Sequence, residues 1–418
     1  MKTKFAFFFL YFLIFPSINS IGLYLLTPSN ALLTYANLSL SGEGVSNYNI
    51  SESVTYEVVI NFTLTHKSGV GNYRFKFARL NNRMPNSSLT PYCPPYQESV
   101  LNYSRITGNI PSQINIGHND KFNNTYDSFN ASLSPDQSVT YDMKYNIKLN
   151  SVYFQGIDDT DIGVYNTSSE IFDLYCNNTE PYYERDDASL ISQSNSIVSP
   201  SDNPVEKAEK ICNWVSNYLV YNYTMPIQEK GALWAYNNQQ GDCSEYSSLM
   251  VTLLRIQGIP ARKVTGFLVS DDPAIRPIPG NSWNYYTSHS ATTMLGHAWV
   301  EYYVEDIGWI ACDPTWNKLR YYFNKIDFLR FNLNVGANFF FPPDGTVSEF
   351  GNPIIGYIDG DSYEYNYNVK ITVLESNLAP LSPFPIFVVI FIVVGVAVVT
   401  ITIILLLRRR SKKEVVYY

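Results

Sequence analysis

The stretch Gly241-Asp242-Cys243-Ser244-Glu245-Tyr246, running on to Gly258-Ile259-Pro260, decides how the chain is read. Asp242 is a favoured helix N-cap, and Glu245 stands three residues later as in a capping box. Gly258 and Pro260 end the helix. Cys243 is then the first helical residue, facing the positive end of the helix dipole and unpaired backbone N–H groups. Both favour thiolate over thiol, and the thiolate is the nucleophile. Tyr246, Leu249, Met250, Leu253 and Leu254 follow at helical spacing, so the sulfur shares the buried stripe and looks toward the interior.

A nucleophilic cysteine needs a base, and the base an orienting group. Of the four histidines, His297 opens the strand-like run Gly296-His297-Ala298-Trp299-Val300-Glu301-Tyr302-Tyr303. A second run, Trp309-Ile310-Ala311-Cys312, ends at Asp313. His66, His118 and His289 have no acidic partner in a comparable frame. Both His297 and Asp313 are odd-numbered, so a hairpin with an odd loop puts them on one face. A loop of Asp306-Ile307-Gly308 would set Asp313 opposite Glu301 and leave His297 about 13 Å away. Direct pairing of His297 with Asp313 needs a loop centred on Glu305, or a bulge.

Outward from this centre the pattern changes from helical to alternating. Val54, Tyr56, Val58, Ile60, Phe62 and Leu64 alternate with mostly polar neighbours. So do Tyr73, Phe75 and Phe77, and Val139 through Leu149, the signature of half-buried strands. Residues 21–185 are expected to form an N-terminal β-sandwich and 186–202 a linker. From 203 onward a helix begins, with Pro204 at its first position and Val205, Ala208, Cys212, Val215 and Leu219 on one face. A mixed domain is expected over 203–320 and a β-containing juxtamembrane segment over 321–380. Its alternating Tyr363 to Val373 fits either neighbouring sheet. The fold class is α+β.

Both ends carry membrane signals. Lys2 and Lys4 precede eleven apolar residues, Phe5 to Phe15. That run is too short to span the ~30 Å hydrocarbon layer, so 1–20 is expected to be a signal peptide. Phe384 to Leu407 is an uncharged run of 24 residues, long enough for one C-terminal transmembrane helix. Arg408, Arg409, Arg410, Lys412 and Lys413 place the 408–418 tail in the cytoplasm and the ectodomain outside, as a single-pass plasma-membrane protein. Sequons at Asn37, Asn49, Asn61, Asn86, Asn102, Asn123, Asn130, Asn166, Asn177 and Asn222 agree with export, and none follows 222.

The 418 residues include 16% charged, 15% aromatic and 34 Tyr, with 29 basic against 37 acidic residues. Aromatic content this high excludes a disordered chain. With no basic cluster before the tail, nucleic acid is excluded as a partner. The sparse charge suggests an acidic exterior. Setting Cys243 aside, the remaining cysteines are even in number, and Cys93 with Cys176 and Cys212 with Cys312 are candidate disulfides. Neither Asp158, Asp159 and Asp161 nor Asp359, Asp361 and Glu364 has the spacing of a calcium loop, and no zinc-like cluster exists, so neither metal nor cofactor is expected. The 270–290 loop holds Trp283, Tyr285 and Tyr286, a candidate substrate-binding flap.

Three blocks, "GDCSEYSSLMVTLLRIQGIPARKVTGF", "GHAWVEYY" and "WIACDPTW", resemble the transglutaminase-like superfamily in order and separation. The resemblance covers about 203–320. It implies a papain-like domain, a Cys-bearing helix packed on an antiparallel sheet. It further implies Cys243 as nucleophile, His297 as general base and acid, and Asp313 as orienter. In that family an upstream Trp or Gln assists the oxyanion, which points to Trp234, Gln239 or Gln240. Expected chemistry is acyl transfer at amide bonds of a surface protein or peptide. Hydrolysis is favoured over protein-glutamine cross-linking, because no residue pattern marks a dry acceptor channel. A non-catalytic binding or scaffold module is the alternative from another class.

Overall fold

Strand β1 (Tyr48–Ser68) takes its length from the alternation already noted: Val54, Tyr56, Val58, Ile60, Phe62 and Leu64 are all buried, and their neighbours are not. The computed structural model describes residues 47–87, 92–109, 113–177, 180–226, 229–336, 339–341, 346–348, 354–378, 394–396 and 398–406. The chain divides into two units, Met1–Asn37 and Leu38–Tyr418, and every described residue lies in the second.

The first half supplies β2 (Asn72–Ala78), β3 (Gln97–Gly108), β4 (Gln113–Asn119), β5 (Thr125–Ser132) and β6 (Ser138–Phe154). Further on come the short β7 (Val220–Tyr221) and β8 (Gln240–Gly241), then β9 (Ala261–Leu268), β10 (Ser282–Ser288), β11 (Gly296–Val304) and β12 (Gly308–Cys312). The last are β13 (Lys325–Ile326), β14 (Arg330–Val335), β15 (Phe339–Phe341), β16 (Thr346–Ser348), β17 (Ile354–Gly356) and β18 (Ser362–Ser376). The largest sheet runs β10-β18-β1-β6-β13, with β3 also on β6, and a second runs β17-β2-β5-β4. They share one core: the Phe62 ring lies 5.6 Å from Phe75 and 4.9 Å from Phe77, and Phe77 lies 4.7 Å from Tyr141. The pairing of Ile60 with Val369 decides which sheet takes the 363–373 run.

The expected sandwich therefore does not close within 21–185. Its central strand β1 needs β18 from the far end of the chain, and β10 completes the edge. Trp283 pairs with Ile371 there and packs on the core of the large sheet, so the Ser282–Ser288 part of the anticipated flap is strand. The stretch expected as a linker holds helix α1 (Ala188–Ile197). Asp187 caps it by accepting from Ser189 N and Leu190 N, and Leu190 and Ser194 bury a stripe too short to show as periodicity.

A third sheet, β12-β11-β9-β14, carries the helices α2 (Pro204–Tyr218), α3 (Gly231–Asn238), α4 (Cys243–Ile256) and α5 (Pro314–Arg320). Helix α4 is buried from Cys243 to Arg255 and packs on β11 and β9. Phe267, Phe331 and Leu333 of this sheet, with Phe328 and Leu329 from the turn before β14, join the core of the other two. Arg83, from the segment after β2, reaches Glu301 on β11 at 2.5 Å, and Arg262 Nη2 holds the same carboxylate at 2.8 Å. All three are almost wholly buried.

The 1–20 segment and Asn37 lie outside the described residues. Of the 384–407 run, residues 394–396 and 398–406 are helical. Among the described residues, no helix is long and apolar enough to cross a membrane. Asn86, Asn102, Asn123, Asn166 and Asn177 are exposed, whereas Asn49, Asn61, Asn130 and Asn222 are half-buried. The Asn61 amide donates to Asp142 Oδ1 at 2.5 Å, a bond that a glycan there would disturb.

Candidate active site

The start of α4 is built as its sequence requires. Asp242 accepts from Ser244 N at 2.8 Å, and Glu245 Oε2 accepts from Asp242 N at 3.1 Å, the reciprocal capping box. Glu245 Oε1 also accepts from Lys230 N at 2.9 Å, tying the preceding loop to the helix. A side chain at Gly241 would put its Cβ 2.3 Å from that of Glu245, so this approach requires glycine. Cys243 is thus the first residue of α4, with 4% of its surface exposed.

The hairpin register differs from both alternatives drawn from sequence. Val300 faces Cys312 and Val304 faces Gly308, leaving Glu305, Asp306 and Ile307 as the loop. Asp306 (φ 64°) and Gly308 (φ 105°) both take positive φ, so the left-handed glycine closes the turn as the first residue of β12. His297 and Asp313 are consequently neither directly opposed nor four residues apart. Asp313 lies just past the end of β12, where the chain turns into α5, and its carboxylate reaches back diagonally. His297 Nε2 donates to Asp313 Oδ2 at 2.7 Å.

That carboxylate has four partners. Oδ1 accepts from Thr315 N at 3.0 Å and Trp316 N at 3.3 Å, capping α5, while Oδ2 also accepts from Arg330 Nη2 at 2.9 Å. Complete burial alone would raise its pKa. The charges and hydrogen bonds of His297 and then Arg330 outweigh burial and hold the carboxyl down at about 2. The His297 ring is flanked by Trp299 at 6.2 Å and Trp316 at 5.7 Å.

Tyr221 completes the surroundings. It pairs with Gly241 through the parallel β7–β8 bridge, and its ring is 6.1 Å from Tyr246. Burial pushes its hydroxyl well up, with the charges of Cys243, Asp242 and Asp313 adding to the rise. Gln240, beside that bridge, accepts from Asn222 Nδ2 through Oε1 at 3.2 Å. Gln239 is exposed and takes the left-handed C-cap of α3 (φ 54°), and Trp234 is half-buried on α3. Trp283 belongs to the other core and is not brought here.

None of the five cysteines is in a disulfide. Cys93 Sγ is engaged with Met84 O at 3.7 Å and Cys176 Sγ with Arg255 O at 3.8 Å, so each thiol of the first anticipated pair is spent on a carbonyl. Cys212 and Cys312 do meet, as hydrogen-bonded buried thiols, with Cys312 also 3.9 Å from Met250 Sδ. Among the described residues no group of His, Cys, Asp and Glu is arranged to hold a metal ion.

Sequence reasoning missed Arg330 and Tyr221. Arg330 sits in the alternating run Arg330-Phe331-Asn332-Leu333, where period-two pattern gives no sign that a charged residue is buried. Tyr221 lies in the short lead-in before Asn222, and only its parallel bridge to Gly241 reveals its place.

Residues 191–314 match the model of the transglutaminase-like superfamily. The chain is 31% identical over 125 residues to the Bacillus subtilis protein YebA, a match covering 28% of this chain and 16% of that protein. It is 32% identical over 105 residues to a protein-glutamine gamma-glutamyltransferase of Pseudomonas aeruginosa, covering 24% and 14%. The chain thus spans under a fifth of the length of these curated relatives. Its fold is similar to the crystal structure of a candidate cysteine protease from Cytophaga hutchinsonii, with a TM-score of 0.51 at 15% identity over 80% of this chain and 95% of that one. The capped helix at Cys243, the antiparallel sheet beneath it and this match together make residues 191–314 a domain of the transglutaminase-like superfamily.

Proposed function

We propose that the chain performs cysteine-dependent acyl transfer at amide bonds, with water as the usual acceptor. The observation that carries this reading is the 2.7 Å hydrogen bond from His297 Nε2 to a buried, ionised Asp313, on a sheet packed against the helix that Cys243 begins. Because Nε2 is committed, Nδ1 is the nitrogen left to exchange a proton with Cys243. The thiolate adds to the carbonyl carbon, and backbone N–H groups at the start of α4 receive the oxyanion. His297 gives its proton to the departing nitrogen as the C–N bond breaks, leaving a thioester. Water then attacks while His297 takes its proton, releasing the carboxylic acid and the thiol.

The substrate class is a surface protein or peptide. The exported, membrane-anchored placement rests on the 5–15 and 384–407 apolar runs and the basic tail. A second reading, cross-linking of glutamine side chains to amines, draws on the 32% identity to the Pseudomonas aeruginosa gamma-glutamyltransferase. Alkylation of Cys243 by iodoacetamide near neutral pH tests the chemistry. A rate well above that of a free thiol, lost in His297→Ala, is expected, and a slow rate indifferent to His297 sinks the enzymatic reading in favour of a binding module. Mass spectrometry of surface-protein extracts treated with the protein separates the acceptors: new termini or deamidated side chains mean water, isopeptide links mean amine.

A further inference from the structure

Asp313 Oδ2 accepts from two donors at once, His297 Nε2 at 2.7 Å and Arg330 Nη2 at 2.9 Å. Arg330 is completely enclosed. Its guanidinium lies 4.6 Å from the Trp316 ring and 4.5 Å from the Tyr322 ring, and Nη1 forms an ion pair with Asp327 at 2.6 Å. The Tyr322 hydroxyl donates to the second oxygen of Asp327 at 2.5 Å. The guanidinium therefore lies in a corner of two aromatic rings set at 82° to each other and meets a carboxylate through each terminal nitrogen, Asp313 through Nη2 and Asp327 through Nη1.

The placement reaches across the sheet. Arg330 opens β14, the edge strand, and pairs with Leu268 on β9, while His297 on β11 pairs with Gly266 of the same strand. Building on the acyl-transfer reading of the site, we propose that Arg330 is a positioning residue: it pins the Asp313 oxygen that holds His297 and sets the charge the imidazole experiences. Two carboxylates, one guanidinium and a neutral imidazole leave this buried group with one negative charge, and protonating His297 makes it neutral. The group is thus balanced in the state that pairs with a thiolate. Remove the guanidinium and the same pocket holds two uncompensated carboxylates, which draws a proton more strongly to the imidazole. Other titratable groups near the pair are Tyr221 on β7 and Cys243 and Asp242 at the start of α4, with Tyr322 on the far side of Arg330.

The test uses the full chain with Arg330→Gln, Arg330→Lys and the double variant Arg330→Gln/Asp327→Asn. The double variant removes a cation and an anion together, so it decides if the single Gln variant does not fold. The His297 imidazole is titrated by NMR, its signal identified by loss in His297→Ala, alongside the pH profile of Cys243 alkylation. In the Gln variant the titration moves to higher pH by about half a unit or more, because a neighbouring cation is gone. In the double variant, which keeps the net charge but loses the cation in direct contact with Asp313, it moves the same way by a smaller step above about 0.2 unit, while Lys restores most of the parent behaviour. The alkaline limb of alkylation moves the same way. A role confined to folding lowers the folded fraction and leaves both midpoints of the folded protein in place. Midpoints within about 0.2 unit of the parent in every variant overturn the proposal. If alkylation of the parent is indifferent to His297, the acyl-transfer reading falls by itself, and the imidazole titration still decides the role of Arg330.

Discussion

Asp313 is the residue on which most depends, since a single carboxylate caps α5, holds His297 and takes Arg330. Its folded pKa of about 2 lies below the ordinary 3.8, so its stabilising effect is fully present above about pH 4 and is lost as pH falls toward 2. For this fully buried group the shift corresponds to about 2 kcal/mol. Urea titrations between pH 2 and 5 should show that slope in the parent and a shallower one in Asp313→Asn. The same variant should slow catalysis by about 10³-fold or more, through loss of the working tautomer. Glu301 is the structural counterpart: Glu301→Gln leaves Arg83 and Arg262 buried without a carboxylate, and a loss of about 3–5 kcal/mol in denaturant midpoint analysis is expected. At this scale the sequence was informative where chemistry is local. Cap residues, the start of a helix at Cys243 and the odd-numbered His–Asp pair are all readable from spacing. Arg330 was not, because its partners come from the cap of α5 and from the turn before β14, and nothing in a period-two run distinguishes an inward arginine from an outward one.

At the scale of elements, β9 is the strand through which the site communicates with its support. Gly266 pairs with His297 on one side and Asn332 on the other, and a Cβ there would lie 1.8 Å from Phe331 O. Gly266→Ala should therefore force β14 away and cost about 2–3 kcal/mol in chemical denaturation. Because β14 carries Arg330, reactivity of Cys243 should fall further than the folded fraction does. Strand existence was legible for β1, β2, β6 and β18, whose alternation is long and regular. Partners were not: alternation reports that a strand is half-buried, not which neighbour covers it, so the 363–373 run fitted two sheets. The hairpin register escaped for a related reason, since Gly308 satisfies its left-handed turn equally well inside the loop or as the first paired residue.

For the whole molecule, the boundaries suggested by composition cut through shared cores. Phe267, Phe331 and Leu333 from the α4-bearing sheet, and Phe328 just before its edge strand, pack among residues of β1, β6 and β18, and Arg83 crosses to Glu301. A fragment of 191–320 should accordingly expose apolar surface and fail to show a cooperative transition, whereas 47–378 should unfold in one step by calorimetry and fluorescence together. Fold class and the order of the three sequence blocks could be read in advance because they depend on local pattern. The interleaving could not, as long-range pairing leaves no trace within either segment. Strand β18 leads straight into the residues that follow Ser376 and lies between β1 and β10. Tension applied through those residues would run along the strand axis, at right angles to its ladder of hydrogen bonds. The bonds would then have to shear together instead of unzipping singly, making this seam a mechanically resistant mooring for the rest of the fold.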